Sequence, residues 1–354
     1  LKLLNSKGEF FTNQEAADFL KIAEKTDRMY SEINNLGSYS TNDTLIDLHI
    51  KKILSLPLVD VEIIKKAKFN ITIDCVNSTG GIAIPRLLKA LGVTTVNELY
   101  CTPDGKFPHN PEPLPENLGT LSESVVKNNS HAGFVVDPDV DRLAIVCEDG
   151  EMFGEEYTLV AVADYILSNT PGNTVSNLSS SSALRDVTQK YSKEYFTSAV
   201  GEVNVVEVMK EKNAVIGGEG NGGVIYPEIH YGRDALVGIA LFLTHLAKSK
   251  CSCSALRKKY PDYYISKNKI EADVDVDIYR ILEQIKEKYK KHPVNTADGV
   301  RIDIEEGWVH LRRSNTEPII RIYAESNSIV KAETLAKKLL NDIRELLNNN
   351  PEDD

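Results

Sequence analysis

The chain has 354 residues, 42% of them hydrophobic and 26% charged, with a formal net charge of −11. That length exceeds one small core and predicts two to four domains of ordinary globular composition. The acidic balance argues against nucleic acid as a partner, since that needs a basic face, but leaves anionic small molecules open because local basic loops hold them.

No run of about 18 apolar residues suits a membrane span, and LKLLNSKGEFF lacks the order of a signal peptide. The five cysteines form no CxxC pair; Cys251 and Cys253 read as surface or core thiols, and a reducing cytoplasm fits this usage. LKLLNSKGEFF has strand–turn–strand character around Gly8. A polar helix is expected from about Asn13 to Ile33, then the turn-rich NNLGSYSTND, then a helix from about Thr44 to Leu54. Residues 1–58 read as an incomplete domain plus linker.

Residues 59–155 predict an α/β unit. FNITIDCV is a buried strand, STGGIAIPRLLKALG a glycine turn into a helix, and AGFVVD and RLAIVCEDGEMF two more strands. Residues 156–262 predict a second, loosely similar α/β unit, with helices at YTLVAVADYILSN and DALVGIALFLTHLAK and two strands around GGEGNGG. Residues 263–354 differ: IYRILEQIKEKYKK puts Ile278, Ile281, Leu282 and Ile285 on one helical face. GVRIDI, GWVHLR and IIRIYAE follow as short strands, and a helix spans about 328–348. The expected fold class is α/β, consecutive α/β/α sandwiches, with a C-terminal α+β domain of antiparallel sheet and helices.

DPDVDR sets Asp137, Asp139 and Asp141 at alternating positions, with Arg142 next. In extended backbone, such residues point the same way. Three carboxylates on one side repel unless a cation sits among them. Hard oxygen donors suit Mg²⁺ or Ca²⁺, and three protein ligands leave positions open, which favours catalytic Mg²⁺. The glycine and distal glutamate of an EF-hand are missing in register; a solvated acidic turn is the plainer alternative.

GGEGNGG has no GK[ST] and misses GxGxxG, so it is neither phosphate loop. Its Glu219 and Asn221 form an acceptor–amide pair suited to sugar hydroxyls, against the alternative of a flexible hairpin turn. LRRSNTEPIIR gathers Arg312, Arg313, Ser314, Asn315, Thr316 and Arg321, whose guanidinium forks, hydroxyls and turn amides suit a phosphate. An Asx-type turn with surface arginines is the alternative there. A metal, a hydroxyl reader and a phosphate cradle on separate domains together suit a phosphorylated sugar in an interdomain cleft.

These loops resemble those of the α-D-phosphohexomutase superfamily. DPDVDR is similar to its DGDxDR metal loop, GEGNGG to its sugar loop and RRSNTEP to its phosphate loop. The stretch IDCVNSTGGIAIPRLLKALG resembles the start of its second domain. The resemblance implies a four-domain mutase that interconverts hexose 6-phosphate and hexose 1-phosphate through a phosphoserine, a bisphosphate intermediate and Mg²⁺. Asp137, Asp139 and Asp141 would hold the metal and Arg142 would lie near the transferring phosphoryl group. Glu219 and Asn221 would bind the sugar; Arg312, Ser314, Asn315 and Thr316 would grip the other phosphate, with Arg321 supporting. A hinge is expected near residues 260–268.

Three departures stand out. Pro138 replaces the usual glycine, Gly223 stands where many bacterial members carry histidine, and no serine here has the family's nucleophile context. The resemblance therefore places LKLLNSKGEFF after the nucleophile, in an N-terminally shortened chain expected to be inactive alone. Glucosamine, glucose and mannose phosphates remain open as substrates. A non-catalytic sugar-phosphate-binding remnant is an alternative function. So is a haloacid-dehalogenase-like phosphatase on Asp137 and Asp139, although that motif belongs at the end of a first strand.

Overall fold

The computed structural model describes residues 2–25, 30–271, 277–313 and 319–348. Near the start, Leu4 and Phe10 form an antiparallel bridge around Gly8. α1 (Asn13–Ala23) begins at a capping box, in which Thr12 Oγ1 accepts the Glu15 N–H and Glu15 Oε2 accepts the Thr12 N–H. The expected helix to residue 33 is thus cut short. No α1 side chain is buried, so the helix rests on its cap and on local contacts such as the Phe11–Phe19 ring pair rather than on a core face.

α2 (Leu45–Leu54) and α3 (Val61–Ala67) lead into the first sheet. It comprises β1 (Asn70–Asp74), α4 (Gly80–Ala90), β2 (Thr95–Leu99), α5 (Gly119–Lys127), β3 (Ala132–Val136) and β4 (Leu143–Cys147), with strand order β2-β1-β3-β4. β1 pairs in parallel with β2 and β3, and β4 returns antiparallel to β3. AGFVV and LAIVC are apolar without alternation because every residue of β3 and β4 is buried.

The second sheet follows the first in α6 (Glu155–Asn169), β5 (Asn173–Asn177), α7 (Ala183–Lys190), β6 (Tyr195–Ser198), α8 (Glu202–Glu211), β7 (Ala214–Glu219) and β8 (Gly223–Ile225). Its order is β6-β5-β7-β8, with β8 antiparallel to β7. α9 (Ala235–Ser249) and α10 (Cys253–Arg257) come next. α6 is buried from Tyr157 to Leu167 and α9 from Ala235 to Thr244, as helices apolar on all faces must be. They pack on each other, and one core containing Phe134, Phe153, Phe242 and Ile216 joins both sheets.

The last unit has β9 (Tyr264–Glu271), α11 (Ile278–Lys288), β10 (Val294–Asn295), β11 (Val300–Ile304), β12 (Gly307–Arg313), β13 (Ile319–Ser326) and α12 (Ile329–Asn348). Its sheet, β10-β11-β12-β13-β9, is antiparallel throughout. The α11 stripe of Ile281 and Ile285 meets Leu339 and Ile343 of α12 over Leu311, Ile320 and Ile322. The α/β sandwiches followed by an α+β domain are therefore as expected. Among the described residues, no helix is long and apolar enough to cross a membrane.

Candidate functional site

The Asp137–Arg142 segment is a tight turn between β3 and β4, not the extended run expected. Pro138 fixes φ, and Asp137 Oδ1 draws in the N–H groups of Asp141 and Arg142, each at 3.0 Å. Val140, a β-branched residue, takes φ +62°, a conformation sustained only when the surroundings impose it. Two hydroxyls, Ser78 Oγ at 2.8 Å and Thr79 Oγ1 at 2.6 Å, donate to Pro138 O and fix the turn from α4's start.

The turn still brings the carboxylates together. One oxygen from each of Asp137, Asp139 and Asp141 lies within 4.8 Å of the others. Burial and then the Asp141 charge push Asp137 up from the usual carboxylate range. Burial works the same way on Asp141, but the Arg233 guanidinium, with the Asp137 hydrogen bond and Lys2, outweighs it and holds Asp141 down. Asp141 Oδ1 is buried without a hydrogen-bond partner, and the Lys2 ammonium ion-pairs with Asp139 and Asp141. A naked acceptor and a side-chain cation lodged among the acids are what an all-oxygen cation site presents, so the donor set fits Mg²⁺. Arg142 lies beside it, Nε 3.3 Å from Asp137 Oδ2, and this Nε is buried without a hydrogen-bond partner.

The glycine-rich turn joins this one directly. Arg142 bridges to Gly223, and the Leu143 N–H donates to Gly222 O at 3.0 Å. Gly222 has φ +88°, and a Cβ there would lie 2.4 Å from Leu143 O. A Cβ on Gly220 would lie 1.9 Å from Glu156 Oε2. Burial holds Glu156 well above the usual carboxylate range.

Glu219 is only 4% exposed. Its Oε1 accepts from Asn177 Nδ2 at 2.9 Å and the Gly201 N–H at 3.1 Å, and its Oε2 from Arg233 at 2.7 Å. Much of the acceptor capacity expected for a sugar is therefore committed within the protein. Asn221 Oδ1 accepts the Gly223 N–H at 3.2 Å.

Sequence reasoning missed Arg233. Its guanidinium reaches Asp141 Oδ2 at 2.7 Å, Glu219 Oε2 at 2.7 Å and Glu202 Oε2 at 3.0 Å. It thus ties the acidic turn to the glycine turn. The available signal was a basic residue directly before the Asp234 helix cap.

The third element arrives with the last sheet. Arg312 faces Arg321 across β12 and β13, and Arg321 faces Lys269 across β13 and β9. Three cationic side chains thus stand in register across the sheet, a row suited to an anion. Arg312 Nη1 is 3.8 Å from Asp298 Oδ2, and its Nε is buried without a hydrogen-bond partner. Ser314, Asn315 and Thr316 lie outside the described residues.

Arg142, Glu219, Asn221, Arg312 and Arg321 line one cleft of about 270 Å³, together with Glu112, Glu155, Glu156, Asn177, Ser179 and Lys267. The cleft is held by contacts from the last unit to the loop after β5. The Ser182 N–H donates to Glu325 at 3.0 Å, Arg301 to Leu178 O at 2.6 Å, and Ser179 Oγ meets His310 Nδ1 at 2.8 Å.

Three successive sequence-family models match the chain. They describe phosphoglucomutase/phosphomannomutase alpha/beta/alpha domain II over residues 47–150, alpha/beta/alpha domain III over 154–264, and the C-terminal domain over 270–341. A phosphoglucomutase/phosphomannomutase of Thermococcus kodakarensis is 34% identical over 94% of the chain and 72% of its own length. A phosphoglucosamine mutase of Methanococcus vannielii is 28% identical over 99% of the chain and 78% of its own length. The crystal structure of a phosphoglucomutase/phosphomannomutase family protein from Burkholderia thailandensis superposes with a TM-score of 0.80 at 24% identity, covering 96% of the chain and 72% of that structure.

Proposed function

Because this chain belongs to the phosphoglucomutase/phosphomannomutase family, we propose that its cleft binds a hexose phosphate for Mg²⁺-dependent exchange between the 1- and 6-phosphates through a bisphosphate. The observation that carries this reading is the convergence of Arg142, the glycine-rich turn and the Arg312–Arg321 pair on one cleft. Phosphoryl transfer asks mainly for positioning and charge neutralisation, and these groups supply both.

In this reading Asp137, Asp139 and Asp141 hold the Mg²⁺, which when bound neutralises charge on the transferring phosphoryl group. Asp137 would bind the ion as a carboxylate, its Oδ1 already held by the Asp141 and Arg142 N–H groups. Arg142, beside the acids, adds a guanidinium to the same oxygens. Asn221 and the glycine-turn backbone meet the sugar, while Glu219 contributes chiefly by fixing that turn. Arg312 and Arg321 hold the phosphate that does not react, with Ser314, Asn315 and Thr316 assigned to the same anion. Division into units 59–155, 156–262 and 263–354 places each group on its own unit.

Among the described residues, no serine is assigned as the phosphoryl carrier in this reading. Ser78 Oγ is committed to Pro138 O and Ser179 Oγ to His310. The chain alone is therefore expected to bind hexose phosphate with Mg²⁺ and to show no turnover. Calorimetric titration with glucose 6-phosphate, glucosamine 6-phosphate and mannose 6-phosphate, with and without Mg²⁺, tests this. Binding of none of the three overturns the reading, and turnover by the chain alone overturns the assignment of the serine.

A further inference from the structure

A second cluster of ligand-type side chains lies outside the cleft. His49 comes from α2, His230 from the loop after β8, and Asp234 from the N-cap of α9. His49 Nε2 lies 2.7 Å and His230 Nε2 3.1 Å from the same Asp234 oxygen, Oδ2. One donor atom from each of the three residues falls within 4.8 Å of the others. The carboxylate is oriented from behind, because Oδ1 accepts the Leu236 N–H at 2.9 Å and the Val237 N–H at 3.2 Å. Asp234 is buried, whereas the His49 and His230 side chains are 31% and 38% exposed.

We propose that His49, His230 and Asp234 form a site for a transition-metal dication of the Zn²⁺ or Co²⁺ class, chemically distinct from the all-oxygen site at Asp137–Asp141. Two imidazole nitrogens and one carboxylate oxygen are the donors such ions prefer and Mg²⁺ does not. Convergence of α2 with the loop that leads from β8 into α9 makes the cluster a built feature, since His49 lies 185 residues from Asp234 and the loop by itself brings together only His230 and Asp234. Buried carboxylate behind and half-exposed imidazoles in front leave a path for the ion and at least one position for water. On binding, the ion replaces the two imidazole N–H···O hydrogen bonds with coordinate bonds from the same three atoms. A neutral ring then carries its proton on Nδ1, and only a ring that was an imidazolium releases one proton to solvent.

The consequence is mechanical. The ion would pin α2 to the start of α9, whose Ala235 N–H donates to Val140 O in the acidic turn at 3.1 Å. The site would thus stiffen the scaffold of the cleft without entering it.

The test is a Co²⁺ titration of the whole chain followed by visible d–d absorption, repeated with Mg²⁺ in excess. One Co²⁺ per chain, insensitive to Mg²⁺, is expected, with affinity at least about tenfold lower in His49→Ala and in His230→Gln. His230 lies on a half-exposed loop, so His230→Gln keeps the test decisive if His49→Ala unfolds. Zn²⁺ should raise the melting temperature of the unaltered chain and of neither variant. Absence of a d–d band overturns the proposal. So do unchanged affinity in His230→Gln, displacement by Mg²⁺ at matching concentration, or a sulfur-to-cobalt charge-transfer band, which would assign the ion to cysteines.

Discussion

Arg233 is surrounded by acids it cannot be seen to meet in sequence: Glu202, Glu219 and Asp141 lie 31, 14 and 92 residues away. Removing one partner from a buried ionic cluster leaves uncompensated charge, at a cost of about 3–5 kcal/mol. Arg233→Met should lose roughly that much stability in urea unfolding, with weaker Mg²⁺ binding because Asp141 loses its orientation. Arg233→Lys should recover only part, since an ammonium gathers its donors on one nitrogen, whereas Arg233 reaches its three acids from Nε, Nη1 and Nη2. A change below about 1 kcal/mol in the Met variant would make the cluster a surface-like one. The aspartates themselves were legible, because three carboxylates in five residues state their repulsion locally. Glu219 was legible as a polar residue in a glycine turn, but not as a buried hub, because its partners are distant.

Gly222 belongs to the same scale. Its left-handed φ and its approach to Leu143 O demand the missing side chain. Gly222→Ala should cost about 1–3 kcal/mol and weaken both Mg²⁺ and hexose phosphate binding, because the strained turn is shared. Loss of sugar binding alone, with Mg²⁺ affinity intact in calorimetry, would show the two turns to be independent.

Among elements, the strands of the last sheet show what periodicity reveals and what it hides. GVRIDI, GWVHLR and IIRIYAE announced themselves by alternation, and the α11 stripe by its helical spacing. YISKNKIE did not, because its lysines mask the pattern, yet as β9 it closes the sheet and sets Lys269 opposite Arg321. Register is a property of the pair, so the row Arg312–Arg321–Lys269 could not be read from any single strand. Opposed like charges cost roughly 0.2–1 kcal/mol per pair, and the Asp298 contact to Arg312, at 3.8 Å, offsets part of that. Arg312→Ala should therefore leave the melting temperature unchanged or slightly higher while weakening hexose phosphate binding about tenfold or more. A clear drop in melting temperature would assign Arg312 to structure instead. α1 taught the opposite lesson: a helical pattern with no buried face ended early.

For the molecule as a whole, the last unit is latched through a buried histidine. His310 donates from Nε2 to Asp298 O at 2.7 Å and accepts from Ser179 Oγ. Burial holds its pKa down to about 4, and that of His245 likewise. In the unfolded chain a histidine titrates near about 6.5. The neutral forms therefore contribute their full stability above about pH 6.5, and each loses it at roughly 1.4 kcal/mol per unit as pH falls toward about 4. Denaturant unfolding between pH 7 and pH 5 should show this slope, and His310→Gln should flatten it by up to one proton. An unchanged slope in that variant would remove His310 from the latch. None of this was legible from VHLRR alone, where a histidine between apolar neighbours says nothing about the loop that covers it.

The two sheets that flank the cleft follow one plan. Each runs strand–helix–strand–helix–strand–strand, places its first strand second in the sheet, and turns its last strand back antiparallel. The acid-bearing turn joins β3 to β4 and the glycine-bearing turn joins β7 to β8, so they are the same corner drawn twice. Their joining at Arg142 and Gly223 sets like against like. The pairing follows from the one chain path that both sheets share, and the difference lies in the residues each corner carries. One corner carries charge, in DPDVDR, and the other carries few side chains, in GEGNGG, so that a gap between two like folds has two unlike walls.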